Sequence, residues 1–196
     1  MEKIVVSELA ADVLVPECMD APAAWTLALV AREKEKRVED LTVFVLERRR
    51  HSDLVAEMRA AGARVMLRSD GDIAGAVMSA STESGVDILM GVGGVPQGII
   101  AACAVKSMGG AMLGRLAPQS DDEMQKIKEA EMDTHEIMDC DRMVASNQIY
   151  FAITGITDGP LLRGVQYRRD KAETESIVLR AETGTRWTIR ADHLVE

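Results

Sequence analysis

The chain has 196 residues, 47% hydrophobic and 28% charged, with 23 Lys and Arg against 32 Asp and Glu and a formal net charge of -9. That hydrophobic content excludes a disordered chain, and the acidic balance argues against a general nucleic-acid or anionic-membrane binder. With 2 Trp, 2 Tyr and 2 Phe there is no base-stacking platform. The length fits one domain or two closely joined ones at roughly 150 residues per domain, and it buries enough surface to need no disulfide or metal staple.

Cys18, Cys103 and Cys140 are odd in number and widely spaced, which argues against a disulfide framework or a zinc-thiolate site and for a reducing cytoplasm. His51, His135 and His193 lack metal-ligand spacing, so a bound metal would use oxygen ligands, favouring Mg²⁺ or Mn²⁺. Charges at Glu2, Lys3 and Glu8 stand where a signal peptide has its apolar core. The uncharged run Ile88 to Val105 is long enough to raise a membrane question, but Gly91, Gly93, Gly94, Pro96 and Gly98 interrupt it. It reads as strand, tight loop and packed helix in a soluble protein.

Lys3 to Val6 forms a short strand, and Asp20 with Pro22 opens a helix through Trp25, Leu27, Leu29 and Val30. The run Arg32 to Arg37 at its end reads as a solvated helix face. Leu41 to Leu46 is a continuous apolar β run of the kind buried in a parallel sheet. Helices are expected over Ser52 to Ala61, Asp72 to about Ala80 and Gln97 to Met108, alternating with strands over Ala63 to Leu67 and Val86 to Met90. That alternation predicts crossovers and a mainly parallel sheet. A charged helix is expected over Asp121 to Met132, opened by Ser120 with Glu123 completing a capping box. Gln148 to Thr154, Leu161 to Tyr167, Thr174 to Arg180 and Thr185 to Ile189 are β-like, the last two joined by a hairpin at Glu182-Thr183-Gly184. The fold class is therefore α/β, mainly parallel with flanking helices, becoming antiparallel toward the C-terminus.

Three clusters follow three successive strands: Arg48-Arg49-Arg50-His51, Asp70-Gly71-Asp72 and Gly93-Gly94-Val95-Pro96-Gln97-Gly98. In an open parallel sheet, ligands bind outside the carboxyl ends of the strands, so all three share the edge where a site forms. A basic triplet alone is more often a solvated surface, Asp-Gly-Asp a turn with Asp72 capping a helix, and the glycine loop a plain strand-to-helix turn. The functional readings are arginine forks on phosphate, carboxylates on sugar hydroxyls or a metal, and loop amides cradling an anion. No P-loop or dinucleotide fingerprint is present. Cys103 reads as core, and Met58, Met78 and Met90 as core filling.

These segments, together with Gly114-Arg115-Leu116, Ala152-Ile153-Thr154-Gly155-Ile156-Thr157-Asp158-Gly159 and Leu161-Leu162-Arg163-Gly164-Val165, resemble the class II fructose-1,6-bisphosphatases. The resemblance covers nearly all of the chain and implies the layered sugar-phosphatase fold and a metal-dependent phosphatase of gluconeogenesis. Such an enzyme hydrolyses fructose 1,6-bisphosphate to fructose 6-phosphate and phosphate. It places sugar-bisphosphate contacts at Arg48 and Arg50, with Arg49 where the family usually has proline, and at Asp70, Gly71, Asp72 and Gly94. The family's metal-binding glutamate falls on Gln97, an amide that brings no charge to Mn²⁺ or Mg²⁺.

The resemblance is to the family's C-terminal part only, making residues 1–196 one C-terminal α/β domain. The N-terminal part, with most metal-binding carboxylates and an Asp-Pro-x-x-Gly-Thr type motif, has no counterpart, and no Asp-Pro dipeptide occurs. The expectation is a sugar-phosphate-binding half that hydrolyses poorly alone, or else a non-catalytic sugar-phosphate-binding or interaction module. Its expected partners are fructose 1,6-bisphosphate and either a second copy or the missing N-terminal half, with no nucleic acid and no membrane.

Overall fold

In the computed structural model, which describes Met1–Val195, the chain divides into two compact units, Met1–Ala145 and the segment from Ser146 onward. Strands and helices alternate through the first: β1 (Glu2–Val6), α1 (Ala23–Glu33), β2 (Thr42–Leu46), α2 (Ser52–Ala60), β3 (Arg64–Arg68), α3 (Asp72–Ala80), β4 (Ile88–Val92), α4 (Val95–Ser107), β5 (Ala111–Arg115), α5 (Asp121–Glu129) and α6 (Cys140–Met143). The five strands form one sheet in the order β3-β2-β4-β1-β5. β2 is parallel to β3 and β4, with Thr42 opposite Arg64 and Val43 opposite Ile88. β1 runs antiparallel to both β4 and β5, so the four other strands share one direction.

The strand-helix alternation read from the sequence is present. β5 went unread, because Ala-Met-Leu-Gly-Arg has no β-branched residue and contains a glycine. It is a strand because β1 offers it a full ladder, from Glu2 opposite Arg115 to Val6 opposite Ala111.

One core lies between the sheet and α1, α2 and the turns after β1, built from residues such as Ile4, Leu27, Val43, Val45, Met58 and Ile88. Each such side chain contributes about 1.5–3 kcal/mol on full burial. On α3, a Cβ at Gly75 would collide with the Phe44 ring, so glycine there lets this apolar helix lie close to β2. Met58, Met78 and Met90 are buried, as their core reading requires.

The charged end of α1 differs from its reading as a solvated face. The helix stops at Glu33, Glu35 takes a left-handed φ of 52°, and the Lys34 side chain is only 6% exposed. Lys34 and Lys36 both turn onto the buried Asp87 (3.2 and 2.6 Å). α5 likewise ends at Glu129, with Glu131 at φ 52°. Its start matches the sequence reading closely: Ser120 Oγ accepts from the Glu123 amide (3.2 Å), while Glu123 Oε2 accepts from the Gln119 amide (2.7 Å).

The second unit is an antiparallel sheet of its own: β6 (Tyr150–Thr154), β7 (Gln166–Arg168), β8 (Lys171–Arg180) and β9 (Thr185–Leu194). β8 is central, and the β8–β9 hairpin turns at Gly184 with φ 61°. The strand expected over Leu161 to Tyr167 is confined to Gln166–Arg168. Residues before it close a loop instead: the Val165 amide bonds to Ile156 O (3.1 Å) and the Gly164 amide to Asp158 Oδ1 (2.9 Å). The uncharged run from Ile88 is β4 followed by α4, and among the described residues no helix is long and apolar enough to cross a membrane.

Candidate anion-binding site

Because β2, β3 and β4 run parallel, the chain leaves all three at one edge, and the three clusters meet there. Arg50 reaches across from the end of β2 and donates through Nη2 to Val92 O on β4 (2.8 Å). Beside it opens a cavity of about 520 Å³, lined by Arg50, the Gly93–Pro96 turn, Gln119, Glu123 and Lys126. Gly94 is the N-cap of α4 and Pro96 lies in its first turn. The first amides of a helix have no partner within it, and its N-terminus favours an anion. Two cations and a helix start on one cavity can hold a phosphate group.

His51 fixes this edge. It is 3% exposed; its Nδ1 lies 2.7 Å from Leu46 O, and its Nε2 accepts from the Val92 amide at 2.8 Å. These partners require a neutral ring with the proton on Nδ1. Gly91 at φ 146° brings the backbone against the ring, where a Cβ would stand 3.1 Å from Cε1. Burial pulls the imidazole below its ordinary value, and the neighbouring Arg50 adds to the shift against the Leu46 carbonyl. The unfolded chain therefore takes up the proton first. Stability should be complete above the ordinary pKa of 6.5 and fall as pH drops through it toward the lower native value. Thermal melts from pH 8 to pH 5 check this: His51→Gln, which cannot titrate, is expected to lose less stability across that interval than the wild type. Parallel losses in both would remove His51 from the acid response.

A further residue, Lys3, was not anticipated. Antiparallel β1 places its first residues beside the ends of β4, with Lys3 opposite Gly91. The Lys3 side chain is 0% exposed and its Nζ donates to Asp72 Oδ2 at 2.7 Å. A Cβ on Gly93 would collide with that carboxylate and stand 2.7 Å from Lys3 Nζ, so the glycine loop is seated directly on the pair. The signal in the sequence was a lysine inside an apolar strand, which needs a carboxylate once both faces are covered.

The other sequence-selected residues lie as follows. Asp72 opens α3 but does not cap it; the N-cap is Gly71 at φ 84°, and the carboxylate turns inward to Lys3. Asp70 and Gly71 are exposed. Arg48 donates to Glu47 O (2.9 Å), and Arg49 stands exposed in the following 3-10 turn. Gln97 is exposed in the first turn of α4, its amide oxygen folded back on Gly94. The edge thus gathers Arg50, Gly94 and, beneath the loop, Asp72, while Arg48, Arg49, Asp70 and Gln97 are outside the cavity lining. Among the described residues, no group of three or more His, Cys, Asp or Glu could hold a metal ion. By themselves, the residues present do not fit a divalent cation. Cys103 is half-buried on α4, and burial raises its thiol pKa, as expected of an inert packing position.

The protein is of the mixed α/β class, its parallel strands ending at Arg50 and at the start of α4, with Lys126 of α5 on the same cavity. Residues 1–193 match the family described as "Bacterial fructose-1,6-bisphosphatase, glpX-encoded". Relatives include the "D-fructose 1,6-bisphosphatase class 2/sedoheptulose 1,7-bisphosphatase" of Synechococcus sp. (strain JA-3-3Ab), 35% identical over 85% of this chain and 52% of that protein. The protein of the same description from Synechococcus sp. (strain JA-2-3B'a(2-13)) is 34% identical over the same shares. The "Fructose-1,6-bisphosphatase class 2" of Haemophilus influenzae is 31% identical over 100% of this chain and 62% of its own length. The chain belongs to the class II fructose-1,6-bisphosphatase family, and it spans about half to three-fifths of the length of these relatives.

Proposed function

We propose that this chain is the sugar-phosphate-binding part of a class II fructose-1,6-bisphosphatase, with fructose 1,6-bisphosphate as its ligand. The carrying observation is Arg50 beside the Gly93–Pro96 turn on one cavity, in a chain of that family. Arg50 offers charge-assisted bonds to a phosphate, Lys126 can turn to it from Asp122 (2.6 Å), and the α4 start offers amides. The Lys3–Asp72 pair cancels the Asp72 charge, and the one carboxylate on the lining, Glu123, accepts from the Gln119 amide. Arg48, Arg49, Asp70 and Gly71, exposed after β2 and β3, are the residues this reading assigns to the rest of a bisphosphate. Sedoheptulose 1,7-bisphosphate is the natural second ligand to test, since the Synechococcus relatives carry it in their names.

Hydrolysis with two metals needs carboxylates that hold the cations, activate water and neutralise the leaving oxygen. In our reading those carboxylates belong to the stretch of the family's length that this chain does not span, and they would hold Mn²⁺ or Mg²⁺. Gln97 adds at most a neutral amide oxygen. This favours one second reading, a non-catalytic sugar-phosphate-binding module of the same family. Either role fits a cytoplasmic place in carbohydrate metabolism, with its three cysteines free.

Calorimetric titration with fructose 1,6-bisphosphate tests the site. Losing a charge-assisted bond costs about 1.5–3 kcal/mol, so Arg50→Ala is expected to weaken binding roughly 10- to 150-fold. Equal affinity in both proteins would remove Arg50 from the site. A phosphate-release assay with Mn²⁺ or Mg²⁺ tests the metal argument, with turnover by the chain alone expected far below the usual enzyme median of about 10 s⁻¹. Turnover near that value would show that the residues present suffice.

A further inference from the structure

β9 is paired along one edge only. All ten of its residues lie opposite β8, whose other edge is taken by β6 and β7. Among the described residues, no strand covers the outer edge of β9. Eight of the ten residues are exposed, including Trp187 and Ile189, and none is proline or glycine. A long unblocked edge of this kind is a template for another strand. Its only full charges are Arg186, Arg190 and Asp192, and their spacing decides what fits.

When two copies of a strand pair antiparallel in one sheet, the two-fold axis stands perpendicular to the sheet. Facing residues then share a side, so odd positions meet odd and even meet even. Two such registers overlap nine of the ten residues, one centred on Ile189 and one on Arg190. The second sets Arg190 against its own copy and Arg186 against Leu194, which is repulsive at the axis. The first sets Arg186 against Asp192 twice, Trp187 against Ala191 twice, and Ile189 against its copy. Charge and hydrophobicity both select the first.

The same two charges are poorly satisfied within one chain. Asp192 lies opposite the like-charged Glu173, and its cation partner Lys171 is 3.9 Å away. Arg186 lies opposite Leu179 and has no ion-pair partner among the described residues. On the other side, Trp187 lies opposite Val178, which lies opposite Ala152, and this apolar row would continue across the axis onto Ala191. We propose that β9 pairs with β9 of a second copy of this chain in the register centred on Ile189, joining the two antiparallel sheets into one.

Sedimentation velocity across the micromolar range tests this with Arg186→Asp, Asp192→Arg and the double exchange. The wild type is expected to dimerise. Each single change turns two attractive cross-strand pairs into two repulsive ones and should weaken the dimer about tenfold or more. The double exchange restores opposite charges and should restore the dimer. A monomeric wild type, single variants that dimerise like it, or a double variant as weak as the singles would each overturn the proposal. Hydrogen exchange on the wild type needs no variant: the alternate amides of residues 185–194 that point away from β8 should lose protection on dilution, and protection of these amides independent of concentration would also refute it.

Discussion

Replacing Asp72 by alanine is expected to destabilise the first unit by about 3–5 kcal/mol, the usual cost of stripping one partner from a buried ion pair. The cause is Lys3, whose ammonium has no other acceptor within hydrogen-bonding distance among the described residues and whose side chain is wholly buried. The partner change should cost clearly less. Lys3→Met removes the buried charge, and Asp72, 12% exposed at the first position of α3, keeps both water and the favourable end of a helix. The double variant Lys3→Met/Asp72→Ala should therefore be more stable than Asp72→Ala alone. For a unit of this size the single alanine change corresponds to a melting point lower by roughly 6–20 °C. Thermal melts of the three variants check the order, and Lys3→Met proving the worse of the two would sink the argument. Under the phosphate-binding role proposed above, the pair has a second use, because Lys3 cancels the Asp72 charge before an anion arrives.

Much of the fold was legible because its signals are local. The runs expected over Leu41 to Leu46 and Val86 to Met90 and the helix expected over Ser52 to Ala61 each carry their own periodicity, and they formed at Thr42–Leu46, Ile88–Val92 and Ser52–Ala60. The edge that gathers Arg50, Asp72 and Gly94 was legible too, since parallel strands must leave the sheet on one side. What escaped depended on distant partners. β5 is a strand only because β1 lies beside it in the opposite direction. The same reversal carries Lys3 to the site, and no local pattern encodes a strand's direction within a sheet. The orientation of Arg48, which turns back to its neighbour's carbonyl, is likewise a matter of side-chain geometry that spacing cannot fix. Lys34 and Lys36 looked like solvent-facing charge because their acceptor, Asp87, is about fifty residues away in sequence.

That acceptor carries the second large effect. Asp87 is 3% exposed and uses both oxygens: Oδ1 accepts from Lys34 and Lys36, and Oδ2 accepts from the Thr42 amide at 2.9 Å. Its own amide donates to Thr42 O at 2.8 Å, so this one residue ties the end of α1 to the start of β2. Burial alone would raise its pKa, but the bonds from Lys36, the Thr42 amide and Lys34 outweigh it and hold the carboxyl below the ordinary carboxylate range. Burial instead lowers the Lys34 ammonium, because Lys34 has one carboxylate to offset its lost hydration while Asp87 has three donors. Asp87→Ala would leave Lys34 buried without a counter-charge and the Thr42 amide without an acceptor. It is expected to cost about 3–5 kcal/mol in urea unfolding at pH 7. Lys36→Ala should cost far less, since Lys36 is 40% exposed and leaves Lys34 and the amide in place. The acid limb follows from the depressed carboxyl: its stabilisation is complete above the unfolded value near 3.8 and is lost as pH falls through the lower native value. Asp87→Ala should lack that part of the acid response. A variant within 1 kcal/mol of the wild type at pH 7, roughly the worth of one ordinary hydrogen bond, would mean that the lysines escape to solvent and that the clamp does not hold α1.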